Sequence, residues 1–279
     1  PPSYNRLLMN PEARGVIAII FLTSVLTLLP LLFGHFSTTQ KNLVFNGFEF
    51  PEDSQAYAGY VQSGVVGNGL LLKNNSTSEM QDARYIILYF SLMAWVQKIV
   101  SVPLDILWNA FRVASIAFFL FSGWVLSQRL FSSSAQRLTS VFLLGMGGGL
   151  GGIIYLLTPI FPVLSRIYSS DLTYPIGYSL FGFSFHLLAL FSLGLVFLGI
   201  DRLLRYLEES HSHDLGWALV FMLGAFFNHP AAGAVGLALV GVSWLERKIS
   251  ISALLKKKTI REGGMILLSG VGVGLYSLW

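Results

Sequence analysis

The sequence predicts an all-α polytopic membrane protein of about seven transmembrane helices, with a long first external loop carrying short surface helices. Three observations lead there. Hydrophobic residues make up 54% of the 279 positions and charged residues only 11%, where a soluble chain carries about 25% charged residues. So few charges cannot cover a water-facing surface, and mean hydropathy is accordingly +0.65. The apolar residues also come in runs close to the ~20 that a helix needs to cross ~30 Å of hydrocarbon. Finally, the cations divide unequally between the two sides that those runs define. Soluble enzymes, nucleic-acid binders and disordered chains are excluded. The net charge of +4 is too small to imply a polyanionic partner.

The elements follow in order. The first span is 15–34, with Arg14 just before it; it is too long, and lacks the small-residue cleavage site, for a signal peptide. Residues 35–105 form an external loop. Within it Glu49, Glu52 and Asp53 precede the stretch 54–60, which reads as a short helix. Asp53 is its N-cap, the carboxylate accepting backbone N–H bonds, and the glycines at 64, 67 and 69 end it. The apolar run 85–100 has Gln97 and Lys98 near its end and reads as a membrane-surface helix. Spans at 106–128 and 138–160 precede a second external loop, 161–177, and a span at 178–200. The stretch 215–245 contains Asn228-His229-Pro230. Proline removes a helix donor and disfavours helix before it, so the stretch divides into spans 215–228 and 231–245. The last span is 263–279.

The positive-inside rule orients this arrangement. Arg6, Arg14, Arg129, Arg137, Arg202, Arg205, Arg247, Lys248, Lys256, Lys257, Lys258 and Arg261 fall on one side, against Lys41, Lys73, Arg84, Lys98 and Arg166 on the other, with Arg112 inside a span. Letting 85–100 span and keeping 215–245 whole weakens that bias. The N-terminus is therefore expected in the cytoplasm. The acids at 49, 52, 53 and 171 then share the external side. The chain opens Pro1-Pro2 and stops at Trp279 inside an apolar run, and is expected to be a single transmembrane module, 1–279, cut from a longer polypeptide. It has no cysteine, which excludes disulfides and thiolate chemistry.

Several positions could carry chemistry. Asp53 is either a helix cap or a carboxylate held at the membrane surface, able to act as a general base or to bind a divalent cation. Arg166 and Asp171 face the same side, as a simple loop ion pair or as part of a site for a metal and a phosphate. An intramembrane arginine such as Arg112 is a functional hypothesis by default, although it could also snorkel outward or pair with Asp105. His186 reads as a packing residue. His229, at an outward helix break, is a candidate for substrate contact. The run 147–152 matches a dinucleotide-binding spacing but lies inside a span, where close helix packing explains it. The tract His211-Ser212-His213-Asp214 has the look of a metal-binding run, but beside Glu208 and Glu209 it reads as a solvated cytoplasmic loop. Lys256–Lys258 touch anionic headgroups, and Asn74-Asn75-Ser76-Thr77 carries two glycosylation sequons on the outer side.

The layout resembles the GT-C superfamily of membrane glycosyltransferases, which includes oligosaccharyltransferases, protein O-mannosyltransferases and aminoarabinose transferases. The features that carry the resemblance are Glu52-Asp53 with Tyr57 in the first loop, the segment 85–137 with Arg112, the Asn228-His229-Pro230 break, and Asp171 in the second loop. It covers nearly the whole chain as a pattern. It implies transfer of a sugar from a polyprenyl-phosphate-linked donor to an acceptor lipid, glycan or protein at the non-cytoplasmic face of a multi-pass protein, among membrane lipids and with no nucleic acid. Asp53, with Glu52 beside it, matches the first-loop catalytic acid. Tyr57, Arg112, Arg166, Asp171 and His229 fall at substrate-binding positions. Asp53 and Asp171 would be the ligands of a divalent cation, Mg or Mn. The chain departs from the metal-dependent pattern at Asp171-Leu172-Thr173, where those members carry two acids. The competing expectations are a non-catalytic scaffold subunit of the same fold and a lipid or solute transporter.

Overall fold

The computed structural model describes residues 10–37, 51–67, 70–73, 82–84, 86–147, 187–247 and positions 161, 163, 261, 262, 265, 266 and 269. Among the described residues the chain is all helical. The eight helices are α1 (Pro11–Ser37), α2 (Pro51–Val66), α3 (Leu88–Val100), α4 (Leu104–Leu130), α5 (Ser134–Met146), α6 (Leu187–Glu209), α7 (Ser212–Asn228) and α8 (Pro230–Arg247). Three of them, α1, α4 and α6, contain stretches long and apolar enough to cross a membrane, which supports the expectation of a membrane protein.

Side chains of α1 and α5 pack against α4, and α4 packs along α6. Ala13, Val16, Ile116, Phe119, Leu120, Trp124, Val141 and Leu190 make one core between them. A second core joins α6, α7 and α8 through Leu203, Tyr206, Leu215, Ala218, Leu219, Met222 and Val240. Many large apolar side chains elsewhere point outward, among them Phe21, Ile106, Trp217, Val235 and Val242. So many exposed large apolar side chains would be an aggregation liability in water and suit a boundary with lipid.

The break expected at Asn228-His229-Pro230 is present. α7 ends at Asn228, α8 begins at Pro230, and His229 alone stands between them. α8 folds back along α7, so contacts that step forward on α8 step backward on α7. A Cβ placed on Gly233 would lie 2.2 Å from the backbone of Phe226, and one on Gly236 2.2 Å from Met222. The two glycines are what allow so tight a hairpin, because any side chain there would meet the opposing helix.

One end of the bundle is a belt of ion pairs. Glu12 accepts from Trp124 Nε1 at 2.7 Å and takes both Nε and Nη2 of Arg137, at 2.8 and 2.7 Å, so it ties α1 to α4 and α5. Asp201 holds Arg129 at 3.1 Å and Arg205 at 3.2 Å, and Arg129 also reaches Glu208. Arg202 pairs with Asp214 at 3.1 Å across the α6–α7 turn. Glu262 accepts from Tyr206 and Ser212, each at 2.8 Å. Asp201, Asp214 and Glu262 are buried. Partners on every side are what make that burial tolerable.

Several expectations change. The first-loop helix starts at Pro51, so Asp53 lies in its first turn rather than at its cap. Proline suits that starting position because its missing N–H would be unpaired there anyway. The helix also runs through Gly64 and stops at Gly67, whose N–H closes on Ser63 O at 3.0 Å. A single mid-helix glycine weakens a helix by only ~1 kcal/mol, less than the docking of its neighbours provides. The surface helix begins at Leu88, three residues later than the apolar run. α6 continues past 200 to Glu209 because Asp201 and Arg202 find partners on α4 and α7, and Arg205 pairs with Asp201 within α6, instead of ending the span. The tract at 211–214 is not a solvated loop: His211 precedes α7, Ser212 opens it, and Asp214 is buried in its first turn.

Candidate functional site

At the opposite end from the ion pairs, the first-loop helix lies on an aromatic shelf. Tyr57 of α2 stacks on Trp108 of α4, with ring centroids 6.3 Å apart, and meets Phe90 of α3 at 5.0 Å. Tyr60 stacks on Phe90 at 6.1 Å, and Phe90 on Trp108 at 6.0 Å. Val61, Leu72, Met93, Ala94, Leu107 and Leu187 complete a buried cluster beneath these rings. Stacked pairs of this kind contribute about 0.5–1.5 kcal/mol each beyond their buried area, enough together to seat α2 in one register.

That register places the acids. Glu52 and Asp53 stand in the first turn of α2. Asp53 precedes Tyr57 by four residues, so the two positions share one face of the helix. The side chains of Glu52 and Asp53 lie outside the described residues, as do Arg166 and Asp171 on the second loop, His186, the sequons and the lysines at 256–258. The pairing of Asp53 with Asp171 about a cation lies outside them as well.

Arg112 sits one helical turn below Trp108 and is only 1% exposed. Of the alternatives read from sequence, outward snorkelling does not occur: packing encloses the guanidinium among helices. Next to it, Tyr89 of α3 is also buried, and its phenolic oxygen accepts a hydrogen bond from Ser115 Oγ at 3.1 Å. Burial pushes the Tyr89 phenol well above its ordinary value, opposed by the Ser115 hydrogen bond and by the positive charge of Arg112. Tyr89 therefore remains neutral beside a buried cation. Phe111 and Phe191 close its ring in, at 5.5 and 5.6 Å.

The hairpin tip joins this region through Asn228. Its Oδ1 accepts from the backbone N–H of Tyr89 at 2.7 Å, and its Nδ2 donates to Gly224 O at 2.9 Å. α3 begins without a side-chain cap of its own, so Asn228 caps it from 139 residues away. His229, next in sequence, is exposed at the tip; its N–H closes α7 on Ala225 O at 2.8 Å.

Of the positions expected to bind substrate, Tyr57 packs on Trp108 one turn above Arg112, and His229 stands exposed at the helix break. The sequence did not single out Tyr89, Ser115 or Trp108, and Asn228 entered only as part of the break. Nothing local marks the first three, which read as ordinary apolar or small helix residues. Asn228 carried a signal, since a polar residue at the end of an apolar run needs a partner. An apolar cavity of about 360 Å³, lined by Gly123, Leu126, Leu143, Leu144 and Phe197 among others, lies toward the charged end and away from the shelf. In comparisons with family models, curated proteins and solved structures, the chain gives no match.

Proposed function

We propose that this chain is the transmembrane module of a lipid-linked-sugar-dependent glycosyltransferase. It would move a sugar from a polyprenyl-phosphate-linked donor to an acceptor lipid, glycan or protein at the non-cytoplasmic face. The observation that carries the reading is the seating of the acidic first-loop helix, through Tyr57, on Trp108 one turn above the buried Arg112. This gives a carboxylate-bearing helix a fixed place at one end of the bundle, over a cation. In this reading the chain crosses the membrane seven times with its N-terminus in the cytoplasm. The ion-pair belt is the cytoplasmic end and the shelf the outer one.

The chemistry divides among the residues as follows. Asp53 takes the proton from the acceptor as the acceptor atom bonds to the anomeric carbon. The bond from that carbon to the phosphate oxygen breaks, and the phosphate leaves with the electron pair. Arg166 stabilises that leaving charge. Arg112, enclosed by packing, contributes through its field in a low-dielectric surround. Glu52 is the second acid of the catalytic pair with Asp53, and Tyr57, Asp171 and His229 are the further substrate-binding residues. A divalent cation, Mg or Mn, would supply charge neutralisation at the phosphate if Asp53 and Asp171 held one.

The test is Asp53→Asn in the protein that carries this chain, assayed for sugar transfer from a polyprenyl-phosphate donor. A fall of at least about a hundredfold is expected, within the range that general-base catalysis contributes, while membrane insertion is unchanged. Turnover close to the unsubstituted protein's would overturn the reading and favour a scaffold subunit. Solute or lipid flux without transfer would favour a transporter.

A further inference from the structure

We propose that the turn joining α6 to α7 binds a divalent first-row transition ion, with Glu209, His211 and Asp214 as its protein ligands. The site lies in the charged end of the bundle, and the proposal does not depend on the glycosyltransferase reading.

The three side chains come together because of how the turn is made. Glu209 is the last residue of α6, Ser210 turns the chain in the left-handed region at φ 61°, and Asp214 lies in the first turn of α7. The N–H of Asp214 bonds back to His211 O at 3.0 Å. One ligand atom from each of Glu209, His211 and Asp214 then lies within 4.8 Å of the others. Glu209 Oε2 and His211 Nδ1 lie 3.1 Å apart.

The members differ in a way that suits a binding site. Asp214 is the fixed one: its side chain is 3% exposed and its Oδ1 is held by Arg202. Glu209 and His211 are more than half exposed, so an ion reaches them from water and they are free to rotate. Transition ions bind imidazole nitrogen and carboxylate oxygen at roughly 2.0–2.2 Å, which places adjacent ligand atoms about 3–3.5 Å apart. A separation of 4.8 Å has to close by roughly 1.3–1.8 Å to reach that spacing, and the two exposed side chains are the ones placed to move. His213 stacks on His211, with centroids 5.4 Å apart, and its Nε2 lies 3.3 Å from Asp214 Oδ2. That is the position of an outer partner that orients a ligating carboxylate. Arg202 offsets one of the two carboxylate charges, and the remaining negative charge favours a cation.

The ligand set selects the class of ion. One imidazole with two carboxylates suits zinc and its first-row neighbours. Calcium takes six to eight oxygens and magnesium a near-octahedral shell of oxygen and water, and neither favours an imidazole. The bound ion would join the last residue of α6 to the first turn of α7 and so fasten the two helices at the charged end.

The test uses the full chain purified in detergent without a polyhistidine tag and stripped with chelator. Zn²⁺ is titrated by calorimetry, and Co²⁺ is followed by its visible absorption. One Zn²⁺ per chain with micromolar or tighter affinity is expected, with Mg²⁺ and Ca²⁺ at least about a hundredfold weaker. Glu209→Gln and His211→Ala, both at exposed positions that leave the fold intact, should each weaken Zn²⁺ about tenfold or more and abolish the Co²⁺ band. His229→Ala, at the far end, should change neither. Absence of Zn²⁺ binding at micromolar concentration, equal affinity in His211→Ala, or no preference over Mg²⁺ would each overturn the proposal.

Discussion

Asn228 is the residue on which two separate parts of the shelf end of the bundle depend. Its carboxamide satisfies the first turn of α3 and the last turn of α7 at once. Asn228→Ala should therefore destabilise the protein by about 1–2 kcal/mol, the range for losing a helix cap. Chemical denaturation in detergent would measure it, and a change below a few tenths would mean the bond carries no load. Tyr89 gives a second prediction at this scale. Its phenol is raised above the ordinary value of 10.0 by burial, so folded and unfolded chains bind that proton alike below pH 10. Above it the unfolded chain ionises first, and stability falls as pH rises. Tyr89→Phe should flatten that fall above pH 10 and leave the pH dependence below it unchanged. Parallel denaturation series at several alkaline pH values would compare the two slopes.

Among the elements, the α7–α8 hairpin is the most constrained. Gly233→Ala should destabilise by about 2 kcal/mol or more. The helix propensity of alanine favours the change by ~1 kcal/mol, but the collision with the Phe226 backbone outweighs it. Gly216, which meets nothing within 4 Å, is the internal comparison: there the alanine should be neutral or stabilising. The hairpin was also the most legible element in the sequence. A proline within an apolar stretch of some thirty residues has one structural consequence, and the break falls where that predicts. The first-loop helix was less legible, because its start depends on Pro51 and its persistence through Gly64 on the aromatic shelf, which only the tertiary packing supplies. The burial of Arg112 was not legible at all. Its position in a span could be read, but whether a long side chain turns outward or inward depends on which helices surround it.

At the scale of the whole molecule, charge is segregated in a subtler way than the count of cations implied. Arg129, Arg137, Arg202 and Arg205 do gather at one end, as the positive-inside pattern requires, but Glu12, Asp201, Glu208 and Asp214 are there with them. The acids were visible in sequence, yet their pairing across helices needed the fold. The orientation itself is open to direct measurement because the chain has no native cysteine. Single cysteines at His229 and Glu209, both exposed and at opposite ends, should react with an impermeant reagent from outside and only after permeabilisation, respectively. The reverse pattern would invert the topology and move the shelf to the cytoplasm.

The shortness of the hairpin has a consequence for the lipid around it. At ~1.5 Å per residue, the 17 residues of α7 and 18 of α8 extend roughly 26 and 27 Å, whereas the 27 residues of α4 reach about 40 Å. In the proposed seven-span arrangement, a hydrocarbon layer of ~30 Å would meet the short pair by thinning locally. The bilayer would then be drawn in on the side of the molecule where Asn228 meets α3. Headgroups there would sit deeper than elsewhere on the perimeter, and the proposed long-chain donor, arriving by that side, would have less distance to carry its polar end to the shelf.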